Sequence, residues 1–451
     1  MRRFLAFLLS ADPDQSVDLF ARFPKLKRFF AERRLHALVR SLGDVVFAAI
    51  VVSGLFGPVA ARANAALFLA WGVWWPSVVL SWFFLGRMWC GFCPFPGLGR
   101  LLRSRGLGLD LPVPRLLERW GVHMSALLFA VIIWLEESTA LKESPRATAW
   151  LLLAILAGAT GAALLFRTQA WCRYLCPMGR IVGVASTLSL TEFRPDHAKC
   201  RTCTDYTCRH GTDQESGCPV DLGAYMVRNN LYCLVCGRCV KLCPHDAPSL
   251  RLRSPFKELV VNKGRYITCS WIIPFLLGSL LARFLQQSGL GTDRACEALG
   301  TPCALTVFLS MLVAGTLAAY VATRVGGQVF GVTHDEMLGR FSPFVPVFLP
   351  LAFSGELAYR LDYFVRELPH FLPTLGRQFG VEGLPVLPLP LWLSPSLNGV
   401  VLGLGGLAGM YVVHQFAVHD FREQVGPGRY VLSQALVLAA LAALAWAAPF
   451  W

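Results

Sequence analysis

Long apolar stretches constrain this chain before anything else does. About nine segments approach the ~20 apolar residues that a helix needs to cross a bilayer core: roughly 44–61, 65–86, 120–136, 147–166, 267–286, 303–323, 343–360, 396–418 and 430–449. In hydrocarbon every backbone polar group must be satisfied within the protein, so segments of this length read as helices. Composition agrees: 55% of the 451 residues are hydrophobic and 16% are charged, against about 25% charged in soluble domains. The expected fold is mostly α, a polytopic membrane helical bundle. The segment 343–360 is interrupted by Pro343, Pro346 and Pro350, which membrane helices tolerate when neighbours satisfy the freed carbonyls. The opening MRRFLAFLLSADPDQ reads as a partly amphipathic segment beside the membrane, because Asp12, Pro13 and Asp14 end its apolar run without a small-residue cleavage site.

Alternation of the spans puts the N-terminus, 87–119, 167–266, 324–342 and 419–429 on one side, and these carry 34 of the 42 Lys and Arg residues. The excess predicts that this side is cytoplasmic and the chain a multi-pass protein of the inner (cytoplasmic) membrane. It also accounts for the net charge of +14 without nucleic acid as a partner. Trp71, Trp74, Trp75 and Trp82 gather around the second span as an interfacial belt does. In the eighth span, Gly405 and Gly409 form a GxxxG pair, a signature of close helix packing.

Cysteine spacing carries the chemistry. Of 15 cysteines, 12 fall in groups between Cys90 and Cys243, while Cys269, Cys296 and Cys303 do not. Cys233-Leu-Val-Cys236-Gly-Arg-Cys239-Val-Lys-Leu-Cys243-Pro244 is a C-x2-C-x2-C-x3-C-P run, the pattern that ligates [4Fe–4S] clusters in bacterial two-cluster ferredoxins. A degenerate copy precedes it, with Cys200, Cys203 and Cys208, then Cys218 before Pro219. In such runs the fourth cysteine serves the other cluster. One site then takes Cys200, Cys203, Cys208 and Cys243, and the other Cys233, Cys236, Cys239 and Cys218. Zinc in four-thiolate sites is the rival, but the four-cysteine run with its proline, appearing twice, favours clusters. The reading divides the chain into a cytoplasmic N-terminal segment (1–42), a four-span membrane domain (43–190), an inserted α+β two-cluster bacterial ferredoxin-like domain (191–264) and a C-terminal membrane domain of about five spans (265–451).

Two further motifs end the second and fourth spans at one depth: Trp89-Cys90-Gly-Phe-Cys93-Pro94 and Trp171-Cys172-Arg-Tyr-Leu-Cys176-Pro177. They look like a duplicated helical-hairpin unit. Cys90, Cys93, Cys172 and Cys176 could hold a third cluster or another metal, copper included, act as redox thiols, or be inert buried cysteines. Arg87, Arg173 and Arg180 would favour thiolates there, and they serve topology equally well.

WCGFCP (89–94), WCRYLCP (171–177) and the runs at 200–244 together resemble the membrane polyferredoxin family, whose branches include NapH, the C-terminal half of NosR and the copper-handling CcoG. The resemblance covers the first five spans and the ferredoxin region. It implies membrane electron transfer, usually linked to quinol or a periplasmic reductase. This chain departs from NapH in its four further C-terminal spans and from NosR in lacking an N-terminal flavin-binding periplasmic domain.

Among the remaining residues, Cys296 and Cys303 bound a loop on the non-cytoplasmic side, where a disulfide can form. His123 and His414 both lie near the cytoplasmic face, but lone helix histidines more often have blander roles than haem b ligation. Glu356, Arg360 and Asp362 could border a quinone site or form an internal ion pair. No Walker loop, HExxH, Rossmann fingerprint or nucleophile elbow is present, so catalytic residues are not expected. The expected function is a non-catalytic electron-transfer subunit of an oxidoreductase complex, working between the quinone pool and a respiratory reductase or dehydrogenase. The alternative is a copper-handling, assembly or redox-regulatory membrane ferredoxin.

Overall fold

A computed structural model of the chain describes residues 6–10, 12, 15–260, 267–288, 301–329, 344–420 and 426–448. The fold is mostly helical, and it is a multi-pass membrane protein. Among the described residues, seven helices are long and apolar enough to cross a membrane: Ala37–Phe56, Ala65–Leu85, Arg115–Ser138, Pro145–Leu165, Cys303–Val325, Leu393–Val418 and Pro427–Ala447. The other two expected spans are also helices, Ile267–Gln287 and Leu349–Glu367. These two bury Arg283 and Glu356, Arg360 and Asp362 respectively. The helix that carries the first span begins at Arg33, well before the apolar stretch, because a helix continues into water wherever its residues are good helix formers.

The chain divides into two compact units. One comprises Met1–Ala49, Ser81–Leu128 and Leu151–Asn262, the other Ile50–Leu80, Phe129–Trp150 and Lys263–Trp451.

The first unit contains a three-stranded antiparallel sheet of β1 (Ser16–Asp18), β2 (Thr191–Pro195) and β3 (Pro248–Arg253), ordered β1-β3-β2. The register pairs Ser16 with Arg253 and Thr191 with Leu252. The N-terminal segment thus supplies an edge strand. It also supplies Phe20 and Phe30, which pack with Phe193, Val227, Val235, Val240 and Leu250 into one core. The short helix Pro24–Ala31 starts on a proline, whose missing N–H costs nothing at a helix N-terminus. Beneath the sheet, Glu192 is ion-paired to Lys257 (3.1 Å), Arg194 (3.3 Å) and the fully buried Arg253 (3.7 Å). Glu258 pairs with Arg194 and accepts from the backbone N–H of Asn230 (3.0 Å). Burying this many charges is tolerable only because each carboxylate meets several cations and donors.

In the second unit, the helix Leu349–Glu367 is buried along most of its length. Helix Leu393–Gln415 packs on it through the GxxxG pair. A β-carbon on Gly405 would collide with Ser354, and one on Gly409 would lie 3.0 Å from the carbonyl oxygen of Val347. A second small-residue contact, Gly278 against Gly315, joins helices Ile267–Gln287 and Thr301–Val329. Its glycines are single, so no GxxxG motif marks them. Glu356 accepts from Arg283 (2.5 Å) and Arg360 (3.0 Å), and Arg360 also reaches Glu136 (2.5 Å). Lys142 joins through Glu137 (2.7 Å) and the Tyr359 hydroxyl (2.9 Å). The acidic and basic residues near the end of the seventh segment are thus ion-paired, and the Arg360 guanidinium lies 4.6 Å from the centre of the Trp75 ring.

Candidate functional site

All twelve grouped cysteines lie in the first unit, and all are free of disulfides. Burial and neighbouring thiols shape the electrostatics of several of them. Burial, and after it Cys90, Cys172 and Cys176, hold the Cys93 thiol well above the ordinary thiol range. Burial pushes Cys172 up to about 12 and Cys176 up to about 11, each reinforced by neighbouring thiols of the same set. Burial raises Cys239 well above the ordinary range, with Cys233, Cys236, Cys218 and Cys208 adding to it. For Cys200, burial acts first and Cys243, Cys208 and Cys203 follow. Cys243 is thus a neighbour of Cys200, and Cys218 of Cys233, Cys236 and Cys239. Neighbouring thiols that raise one another's pKa favour the protonated form, and a cationic metal centre would instead favour thiolates.

The two ferredoxin runs fold alike despite unequal spacing. In each, the third cysteine is the second residue of a short helix, Thr207–His210 or Arg238–Leu242. Each helix is entered through a left-handed residue, Tyr206 at φ 47° and Gly237 at φ 75°. Glycine accepts this conformation freely, whereas Tyr206 and the β-branched Val235 (φ 50°) are strained by it. The strain turns the chain back so that its thiols converge. In the degenerate run, the insertion after Cys208 is pinched off by a bridge between Gly211 and Ser216. The Cys218 N–H then bonds the carbonyl of Arg209 (3.1 Å), so Cys218 follows its helix closely, as Cys243 follows Cys239 (3.1 Å). Backbone N–H groups also point at sulfur: Val235 donates to Cys233 Sγ (3.5 Å) and Ala247 to Cys243 Sγ (3.4 Å). Cys208, Cys218, Cys233, Cys236 and Cys239 line one cavity, walled by apolar side chains such as Phe193 and Leu234.

The membrane-edge motifs also match each other. Cys93 (φ −55°, ψ 131°) and Cys176 (φ −57°, ψ 119°) adopt nearly the same extended backbone, as residues before proline do. The second motif has one residue more between its cysteines. A π-helical turn, Trp171–Leu175, absorbs it, and the Cys176 N–H bonds the Trp171 carbonyl five residues back (2.7 Å). Ser125 Oγ donates to the Cys176 carbonyl (2.7 Å).

The three arginines flanking these motifs reach the ferredoxin region. Arg87 donates to the Leu231 carbonyl, Arg173 to that of Val220 (2.8 Å), and Arg180 lies 5.3 Å from the centre of the Tyr232 ring. Arg87 still acts on Cys172 and Cys176 as an opposing charge. Spacing alone does not reveal that Gly91, between Cys90 and Cys93, is buried against Cys236: a β-carbon there would lie 3.2 Å from the Cys236 Cα. Cys203, Asp205 and His245 bring ligand atoms within 4.8 Å of one another at the exposed margin. Cys303 is disulfide-bonded, and its expected partner Cys296 lies outside the described residues, as does the side chain of Cys269. His123 and His414 fall in different units. The His414 Nδ1 lies 3.3 Å from the Tyr430 hydroxyl.

The 4Fe-4S binding domain family matches residues 67–112 and 148–189. That match contains Cys90, Cys93, Cys172 and Cys176 and stops short of the ferredoxin runs. The putative electron transport protein YccM of Escherichia coli K12 is 33% identical over 121 residues, 27% of this chain and 31% of that protein. The ferredoxin-type protein NapH of Haemophilus influenzae is 33% identical over 100 residues, covering 22% and 33% of the two chains. Protein NirI of Paracoccus denitrificans is 30% identical over 210 residues, covering 40% and 28%. These matches support a membrane polyferredoxin family for the chain. It spans only about a third of the length of these relatives. No solved structure matches the chain. Its donor set, twelve cysteines free of disulfides and mostly half-buried, suits iron–sulfur clusters, which bind through four thiolates.

Proposed function

We propose that this polyferredoxin is a non-catalytic electron-transfer subunit that relays electrons between the quinone pool and a respiratory reductase or dehydrogenase. Three sites of four cysteines would hold [4Fe–4S] clusters: Cys90, Cys93, Cys172 and Cys176 at the membrane-edge site; Cys218, Cys233, Cys236 and Cys239 at a proximal site; and Cys200, Cys203, Cys208 and Cys243 at a distal site. The ferredoxin-like domain, residues 191–264 with the N-terminal strand and core side chains that join it, would face the cytoplasm, as the distribution of Lys and Arg supports.

The observation that carries the reading is the packing of Gly91 on Cys236, which makes the membrane-edge and proximal sites neighbours. Cys208 acts electrostatically on Cys239, so the distal site adjoins the proximal one. A row of adjoining sites suits electron transport. When bound, each cluster supplies a one-electron reduction and oxidation. The protein's own share is to hold the thiols together, direct N–H groups at sulfur, and exclude water with the apolar wall around Phe193.

Anaerobic purification with iron, acid-labile sulfide, zinc and copper analysis tests this. The expected content is about twelve irons with matching sulfide, as three [4Fe–4S] clusters require. Zinc without sulfide would overturn the reading. Copper bound through Cys90 and Cys172, with eight irons' worth of clusters remaining, would replace it with a copper-handling role.

A further inference from the structure

Cations are not spread evenly over the three sites. Arg40 and Arg238 line, together with Cys236 of the proximal site, one cavity of about 230 Å³. They come from distant parts of the chain: Arg40 from the helix Arg33–Phe56, Arg238 from within the second cysteine run. Both are held in place. Arg40 Nη2 donates to the carbonyl of Gly91 (3.2 Å), the residue that packs on Cys236. Arg238 Nη1 donates to Ser216 Oγ (2.8 Å) and the Gly217 carbonyl (3.1 Å), at the end of the insertion that separates Cys208 from Cys218. That insertion therefore does more than lengthen the spacing. Its Glu215, the carboxylate in the same cavity, is ion-paired to Lys241.

The electrostatics agree with this geometry. Arg238 and Arg40 act on the Cys236 thiol as opposing charges. Arg100 is influenced by Arg40 and Arg238 as like charges and by Cys172 and Cys93 as opposite ones. The guanidiniums thus lie between the membrane-edge and proximal sites. At the distal site, the leading neighbour of Cys200 beyond its own thiols is the carboxylate of Asp196.

We propose that Arg40 and Arg238 are positioning residues that raise the reduction potential of the proximal site, and that Arg40, with Arg100, does the same for the membrane-edge site. The inference rests on the cluster reading above. A four-thiolate [4Fe–4S] site is anionic in both oxidation states and gains one more negative charge on reduction. A fixed cation nearby stabilises the reduced state more than the oxidised one, and net charge is one of the levers that set such potentials. Burial acts in the opposite direction, but a substitution that keeps the fold leaves burial unchanged and isolates the charge.

The test is a potentiometric titration of the anaerobically purified full chain, followed by electron paramagnetic resonance, with iron and sulfide measured on every variant. Each reduction takes one electron from the electrode mediators. Cys203→Ser identifies the distal signal by its loss. Arg238→Gln is expected to move the proximal midpoint to more negative values, and Arg40→Gln the proximal and membrane-edge midpoints, with the distal one unmoved. Arg40→Lys, which keeps the charge, should restore the wild-type values. Arg100→Gln leaves the Arg40–Gly91 bond intact and should move the membrane-edge midpoint alone, so a loading failure at Arg40 does not remove the test. Full iron and sulfide with unmoved midpoints, or a uniform shift of all three, overturns this inference alone. A wild type without iron and sulfide overturns the cluster reading and this inference with it.

Discussion

Gly91 and Cys236 meet so closely that a β-carbon on the glycine would lie 3.2 Å from the Cys236 Cα and 3.4 Å from its Cβ. One belongs to a membrane-edge motif, the other to the ferredoxin run. Gly91→Val should wedge the two apart and destabilise the protein by about 1–3 kcal/mol, the usual cost of overfilling a packed site. The checks are a lowered melting temperature and slower electron equilibration between the two sites at unchanged iron content. Unchanged melting and unchanged kinetics would mean that the contact is unimportant.

Each foursome should load as a unit. Cys93→Ser is expected to remove about four irons and leave the signals of both ferredoxin sites, while Cys243→Ser should remove the distal set, because its sulfur serves the first run and not its own. Iron analysis with spectroscopy checks both. If Cys243→Ser spared the distal signal and removed the proximal one, the crossed assignment would fail.

The buried ion network of the second unit makes a strong prediction. Arg360→Met leaves Glu136 and Glu356 buried without their shared cation. Removing one partner of a buried pair typically costs about 3–5 kcal/mol. Adding Glu136→Gln to Arg360→Met should recover part of that loss. Melting of both variants in detergent checks the order, and a double variant no more stable than the single one would contradict it.

The carboxylates beneath the sheet give a pH dependence. Burial alone would raise the Glu192 carboxyl, but Arg194, Arg253 and Lys257 outweigh burial and hold it below its ordinary value of 4.5. A group whose folded value is depressed stabilises the protein above the unfolded value and loses that contribution as pH falls through the folded one. Stability should therefore hold above about pH 4.5 and drop below it. Glu192→Gln should be less stable at neutral pH and should flatten the acid limb of a melting-temperature profile. An acid limb equal to that of the wild type would assign the effect to another group.

The spans were legible because hydrocarbon demands length and apolarity, and both are local properties of the chain. The glycines of GxxxG were legible for the same reason. The Gly278–Gly315 contact was not, since each glycine acts alone and its partner lies on another helix. An internal ion pair around Glu356 and Arg360 was one reading open from the sequence, but their partners Arg283 and Glu136 lie on other helices and only the structure pairs them.

By itself the sequence determined the donor chemistry: twelve cysteines in runs whose spacing and following prolines permit sites of four. Spacing constrains a loop but says little about which loop it meets. The tertiary structure decided that β1 and Phe20 from the N-terminal segment complete the ferredoxin core, because edge strands and core side chains are chosen by long-range packing. It also decided that a π turn at Trp171–Leu175 makes two unequal motifs equivalent, and that Gly91 comes to rest on Cys236. That contact depends on the missing side chain of one residue and the backbone of another far along the chain, and no local pattern encodes it.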